Sequence, residues 1–397
     1  MIRKGIFLRY LTAGESHGKA LVGIIDSYPS GVLIDIDFIN KELARRQKGT
    51  GRGGRMAIES DEVEIISGIR KSYSIGSPIS FLIYNKDWVN WKNIMNISQD
   101  GSCENKEEIL LNPRPGHADL TGFLKYRFDN IRDVIERSSA RETAAKVCVG
   151  GFAKIALNLF GIKIYSYVTQ IGPVSFEDKI KLEKETVKKI EESAVRCPDE
   201  KISNKMEKEI LKSKSHGDSL GGRFKVIAVG VPPGLGSYSQ WDMRLDGRIA
   251  AAFMSIPAIK AADIGDGFSS ASVSGRNFHD EIYYDEKSGF YRKTNRAGGI
   301  EGGMTNGENI VVGAVMKPIP TTRKGLGTVN IQTKKAEVSL KERADICAVP
   351  AASVVGEAVL SIEILNAIQE KFGKDNIDEI LENYTSYKKY IKNIEKL

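Results

Sequence analysis

Gly14-Glu15-Ser16-His17-Gly18-Lys19 closes the first strand-like run, Gly5 to Thr12. It places a carboxylate, a hydroxyl, an imidazole and an ammonium side by side, bracketed by glycines that let the backbone turn tightly or approach a ligand. Three readings are open at this point. The turn can hold a ligand, or it can link two core strands with His17 bonded to backbone. It can also be a degenerate P-loop of a nucleotide-binding protein, since Ala13 to Lys19 nearly spells one. Against that, Ala13 stands at the first glycine, and Ala20 stands where a nucleotide-bound Mg²⁺ needs a hydroxyl.

The chain has 397 residues and 41% hydrophobic content, enough for a large core. At roughly 150 residues per domain, length alone suggests two or three units. No apolar run is read as approaching the roughly 20 residues a bilayer requires, and Met1 to Gly14 has no leader pattern. The expectation is a soluble, cytoplasmic protein with no membrane partner. Cys103, Cys148, Cys197 and Cys347 are scattered without CxxC pairs, which fits a reducing compartment. The four histidines have no H-x-H or H-x-x-x-H spacing, so no resident metal is expected. The formal charge of +7 is compatible with a basic nucleic-acid-binding protein, yet no RNP-like, zinc-finger or basic heptad pattern supports one. A few placed arginines around an anionic small molecule account for the surplus equally well.

Downstream, Ala20 to Ile36 reads as strand, turn and strand, and Asp37 as the N-cap of a helix through Arg46. That helix runs into Gly49-Thr50-Gly51-Arg52-Gly53-Gly54-Arg55, a guanidinium-bearing loop suited to a carboxylate or phosphate. Its spacing is not that of a dinucleotide fold. Strands follow at Val63 to Gly68 and Pro78 to Tyr84, then a polar stretch whose Trp88 and Trp91 read as packing residues. Asn112-Pro113-Arg114-Pro115-Gly116-His117-Ala118-Asp119 is a stiffened loop at a helix entrance. Glu136 to about Phe160 reads as one helix, with Arg137 and Arg141 on a shared face and Ser138 or Ser139 able to cap. The segment of about 175–215 is dense in Lys and Glu and reads as a charged surface excursion. Arg343 and Asp345, two apart in an extended segment, point the same way. The helix beyond them has Pro350 near its first turn and Gly373 after its last, and the peripheral tail at about 376–397 reads as a helix or a frayed end.

Gly14 to Gly18, Gly49 to Arg52, Pro115 to Asp119, Glu136 to Thr143, Ser255 to Lys260 and Arg343 to Cys347, in that order, resemble the chorismate synthase family over about Arg9 to Glu370. The resemblance implies an α+β fold, a single-domain β-α-β sandwich with helices packed between antiparallel sheets, spanning 1–397 and assembled as a homotetramer. It also implies an anti-1,4-elimination of phosphate from 5-enolpyruvylshikimate 3-phosphate, giving chorismate. Reduced FMN would assist by transient electron donation, without net redox change.

Position by position, the resemblance implies that His17 protonates the departing phosphate, His117 protects or protonates the anionic reduced flavin, and Asp345 helps the flavin N5 accept the substrate proton. Arg46, Arg52, Arg114, Arg141 and Arg343 would grip the carboxylates and phosphate, with Arg46 and Arg52 also matching positions for NADPH. FMN would contact Arg137, Ser138, Ser139, Pro257, Ala258, Gly302, Lys317, Pro318, Ile319, Pro320, Thr321 and Arg343. Two positions depart from the family pattern: Ala344, where His or Ser is usual, and Ala261-Ala262-Asp263 in place of a Gly-apolar-Glu run.

Overall fold

Burial alternates along β2 (Ala20–Asp26): Leu21, Gly23 and Ile25 face inward, while Val22 and Ile24 face out. One face of its sheet therefore lies on the core. It pairs with β1 (Arg9–Ala13) and β4 (Ile79–Tyr84), and β3 (Val63–Ile65) completes an antiparallel sheet of order β1-β2-β4-β3. Phe81 is opposite Gly23, where a Cβ would come within 2.0 Å of its ring. A second antiparallel sheet, in the order β8-β9-β7-β5-β6, is built from β5 (Lys163–Ile171), β6 (Val174–Ser175), β7 (Gly222–Val229), β8 (Ile259–Ile264) and β9 (Ile310–Met316). This computed structural model describes residues 8–52, 60–97, 109–177, 180–286, 289–341 and 345–394.

Helices fill the space between the sheets. Helix α1 (Ile36–Gln47) is capped by Asp35, whose carboxylate accepts from Phe38 N at 2.9 Å, two residues earlier than the sequence reading placed the cap. Helices α2 (Asp119–Tyr126) and α3 (Arg132–Ser138) form a small satellite layer, and α4 (Thr143–Leu159) is buried almost all round. Charged helices α5 (Lys184–Glu192) and α6 (Glu200–His216) and the short α7 (Leu245–Met254) follow.

Helix α8 (Val349–Phe372) has Pro350 in its first turn and Gly373 just after its last residue, as its sequence suggested. It packs on α4, where a Cβ on Gly150 would fall 2.3 Å from that of Ala358. Its other side meets β5 and β7, and Gly356 admits Phe224 and Val226. By length and composition α8 is apolar enough to cross a membrane, which the sequence reading overlooked. In the fold, 94% of its most apolar window is covered by protein. An all-round apolar helix is what a core position between two layers requires.

Two further expectations change. The run from Glu136 to Phe160 is not one helix: Ser139 is extended (φ −63°, ψ 140°) and separates α3 from a short 3₁₀ turn at Ala140–Glu142 and from α4. The segment of about 175–215 is less peripheral than its composition suggested, since Val195, Cys197, Met206 and Ile210 lie in the core. Of the peripheral helix and the frayed tail read for the last 20 or so residues, the helix is the one formed, α9 (Ile377–Ile394), docked through Ile377, Ile380 and Tyr384.

Candidate active site

The Gly14–Lys19 turn joins β1 to β2, so a strand follows it where a P-loop requires a helix. Gly14 is left-handed (φ +103°), and a Cβ there would meet Ala20 O at 2.4 Å. The turn is pinned to α3. Arg137 donates to the carbonyls of Thr12 and Gly14 at 3.0 and 3.2 Å, and Ser16 N donates to Glu136 O at 3.0 Å. The Glu136 carboxylate accepts from His17 N at 2.8 Å and holds His17 Nδ1 at 2.9 and 3.0 Å. The imidazole stacks on Trp91, ring centres 3.7 Å apart, and Arg132 Nη1 reaches Glu136 at 3.4 Å. Burial alone would raise the Glu136 pKa, but its bonds to His17 and the nearby Arg132 charge hold it below the ordinary carboxylate value.

The second imidazole is arranged similarly. His117 Nδ1 bonds Asp119, which has no exposed surface. Arg114 Nε donates to the same carboxylate at 2.8 Å, Arg114 Nη2 lies 3.0 Å from His117 Nδ1, and Arg114 Nη1 donates to Thr321 Oγ1 at 3.0 Å. Burial opposes ionisation of Asp119, yet the His117 and Arg114 hydrogen bonds outweigh it and keep the carboxyl far below its usual range. Lys317 donates to Gly116 O, so the loop 317–321 closes over the histidine turn. Gly122 lets α2 approach α3, because a Cβ there would meet Val134 at 2.5 Å. The two helices that carry Asp119 and Glu136 are thereby packed together.

Arg46, Arg141 and Arg52 gather around two acids. Arg46 Nη2 and Arg141 Nη2 lie 2.7 and 3.2 Å from the Asp61 carboxylate, and Arg52 Nη1 is 2.8 Å from Asp345 Oδ2. Burial, and then Arg52 among the charges, lowers the Arg46 pKa against the opposing pull of Asp61. A relay of bonds links these pairs to the loop 317–321. Ile346 N donates to Gly51 O at 2.7 Å, Leu220 N to Ile346 O at 2.8 Å, and Ser219 Oγ to Ile319 O at 2.6 Å.

Other predicted positions are placed as follows. Ser139 Oγ donates to Ser16 Oγ at 3.1 Å, while Ser138 Oγ turns back to Val134 O at 2.6 Å. The break at Ser139 sends Arg137 and Arg141 to different partners, so they do not share a helical face. Ala258 is left-handed (φ +68°) beside Pro257, and its carbonyl accepts from Lys317 N at 3.0 Å. Gly302 tips a short hairpin (φ +57°) with open space at its Cβ position. Gly53 to Arg55, Arg343 and Ala344 lie outside the described residues. Sequence reasoning gave no role to Glu136, Asp119, Asp61 or the stacking of Trp91. Asp119 was signalled by its i+2 spacing from His117, whereas Glu136 and Asp61 are remote in sequence from the groups they hold.

Two clefts of about 250 and 330 Å³ lie elsewhere, around Arg45 and Glu191. There Glu357, fully buried, is bonded by Arg45 at 2.8 and 2.9 Å, by Arg196 at 3.2 Å and by Lys154, with Glu42 and Glu191 balancing the charge. The histidine pair thus differs chemically from this charge cluster: each imidazole is oriented by a buried carboxylate, next to guanidinium groups fit for a polyanion.

The chain matches known proteins along nearly its whole length. Residues 8–369 match the family model described as chorismate synthase. A protein of that name from Alkaliphilus metalliredigens is 53% identical over 379 residues, covering 96% of this chain and 99% of its own. Another, from Sulfurihydrogenibium sp., is 54% identical over 392 residues, covering 97% of this chain and 100% of its own. A solved structure described as chorismate synthase has a TM-score of 0.77 at 39% identity and covers 98% of this chain and 99% of that one. Its architecture agrees with the α+β arrangement of two antiparallel sheets and intervening helices seen here.

Proposed function

The chain belongs to the chorismate synthase family, and from that premise we propose how its residues divide the work. The reaction is the anti-1,4-elimination of phosphate from 5-enolpyruvylshikimate 3-phosphate, the activity of a carbon–oxygen lyase. His17 delivers a proton to the departing phosphate, and His117 holds one against the cofactor. Asp345 acts on the substrate proton. Arg46, Arg52, Arg114, Arg141 and Arg343 grip the carboxylates and phosphate of the substrate. The observation that carries this reading is the matched pair of imidazoles, each held at Nδ1 by a buried carboxylate, Glu136 for His17 and Asp119 for His117. An oriented imidazole is what general acid chemistry near neutral pH needs.

Reduced FMN, when bound, supplies transient electron density that eases loss of phosphate. The residues present suit such a group. Lys317 offers a cation at the Gly116–His117 turn, Ala258 bends the backbone beside it, and Gly302 leaves an open cradle. Pro257, Pro318, Ile319 and Pro320 line this loop region with few hydrogen-bond donors, as a flat aromatic ring prefers. Arg137, Ser138, Ser139, Thr321 and Arg343 complete the set. Arg46 and Arg52 serve either the substrate or NADPH, because both ligands present phosphate to the same guanidinium groups.

In the same reading, residues 1–397 form one domain, which the large buried cluster running through both sheets supports. The assembly is a homotetramer. The outer face of the first sheet supports subunit contact, with Leu11 opposite Ile24 and both exposed, at 70% and 41%. A cytoplasmic setting agrees with Cys148, Cys197 and Cys347, all free and buried.

Chorismate formation, assayed anaerobically with purified protein and FMN, tests the whole. Dithionite as sole reductant is expected to support turnover, and NADPH alone distinguishes self-reduction of flavin from an external supply. No product with dithionite would overturn the reading.

A further inference from the structure

His17 has three contacts with one residue. Glu136 takes its backbone N–H at 2.8 Å and its ring Nδ1 at 2.9 and 3.0 Å, and Glu136 O accepts from Ser16 N next door. The Glu136 side chain has no exposed surface, and that of His17 is 15% exposed. Trp91 fixes the plane of the imidazole by stacking at an interplanar angle of 20°, and Arg132 sits over Trp91 at 5.4 Å while reaching Glu136. Rotation and tilt of the ring are therefore set by different groups, rotation by Glu136 and tilt by Trp91. A carboxylate accepts and cannot donate when ionised, so Nδ1 must carry the proton.

We propose that Glu136 is a positioning residue for the elimination: it locks His17 with Nδ1 protonated, so that Nε2 is the nitrogen that passes a proton to the leaving phosphate. Among the described contacts, the ring meets Glu136 from α3 and, through Glu136 and Trp91, Arg132. The ionised state of Glu136 that the lock requires is maintained by the same neighbours. In the reaction, the imidazolium form of His17, protonated at both nitrogens, gives its Nε2 proton to the phosphate oxygen and becomes the neutral ring, while Nδ1 keeps its proton on the Glu136 side. Glu136 itself is neither protonated nor consumed. The proposal rests on His17 acting at the phosphate, but the state of the ring can be measured separately from turnover.

The test uses full-length protein labelled with ¹⁵N-histidine, which is practical with four histidines in the chain. His17→Asn identifies the His17 signals. At neutral pH the wild-type ring is expected to show a directly bonded proton at Nδ1. Glu136→Gln, which keeps the side-chain size, is expected to remove that preference and to lower kcat by about 10- to 100-fold, with KM changed less than about twofold. Glu136→Asp should restore part of both. Should Glu136→Gln fail to fold, the wild-type spectrum still decides, because a neutral His17 ring protonated at Nε2 alone overturns the proposal. So does unchanged kcat in a folded Glu136→Gln. Loss of the Nδ1 signal in Glu136→Gln, accompanied by wild-type turnover in His17→Asn, would uphold the structural lock while removing His17 from the chemistry, which sinks the proposal through the reading beneath it.

Discussion

Arg52 Nη1 lies 2.8 Å from Asp345 Oδ2, joining the Gly-Thr-Gly-Arg loop to the segment that precedes α8. The neighbouring backbone bond from Ile346 N to Gly51 O at 2.7 Å runs in parallel, so the ion pair is fixed at both ends. An arginine so held presents its remaining donors in a set direction without first paying to order its chain. Arg52→Lys keeps the charge and loses the planar fork. It is expected to raise KM for 5-enolpyruvylshikimate 3-phosphate by about tenfold or more. Steady-state kinetics on a folded variant checks this, and an unchanged KM would remove Arg52 from the substrate site.

His117 and its partners predict a graded series. His117→Ala removes a proton-holding group and is expected to cut turnover about 100-fold or more. Asp119→Asn disturbs the same ring less directly, but leaves Arg114 buried beside a neutral group, so both activity and stability should drop. Activity assays paired with urea unfolding separate the two effects. Wild-type turnover in His117→Ala would contradict the assignment.

Acid stability follows from the carboxyls. Glu136, Glu191 and Glu357 are all held below the ordinary glutamate value of 4.5, against the upward push of burial. A depressed folded pKa contributes stability that is fully present above the unfolded value and lost as pH falls through the folded one. Stability should therefore be flat above about pH 5 with respect to these groups and decline progressively below it. Urea midpoints measured from pH 7 down to pH 3 check the sign, and a rise in stability on acidification would refute it. Glu357→Leu, which leaves Arg45, Lys154 and Arg196 without their shared buried anion, is expected to cost about 3–5 kcal/mol.

Parts of the site were legible because they are local. Pro115, Gly116, His117 and Asp119 sit in one stiff loop, so the residue types marked a candidate anion or cofactor site at a helix entrance, with a capping or core role the stronger reading of the loop alone. The core helix α8 was legible in its ends, Pro350 and Gly373, though its apolar length was missed. Glu136 lies within a helical run, but nothing local marks a glutamate as the partner of a histidine in another turn. The break at Ser139 was hidden for a related reason. Small residues on both sides keep the helical period, and the extended residue is favoured by tertiary contacts, Ser16 and Asp61 drawing Ser139 and Arg141 in different directions. Propensity gives way to such contacts at sites where several elements converge.

The charged segment that seemed peripheral carries the last prediction. Ala194 O, between α5 and α6, accepts from Thr50 N at 2.9 Å, and Ile210 on α6 fills the space that a Cβ on Gly51 would need, at 2.7 Å. Arg196 anchors that turn by bonds to Glu191 at 2.9 Å and Ser353 at 3.0 Å. The loop that delivers Arg52 therefore rests on this segment as well as on Ile346. Removing the anchor in Arg196→Ala should loosen the loop, so KM for the substrate is expected to rise by several-fold, by analogy with the roughly 10- to 100-fold effect of lost supporting contacts. The imidazoles of His17 and His117 are held by other elements, so the rate at saturating substrate should change less. Stability will drop too, which makes the split between KM and kcat in the folded fraction the deciding measurement. If kcat falls and KM stays constant, the segment supports the fold without positioning Arg52.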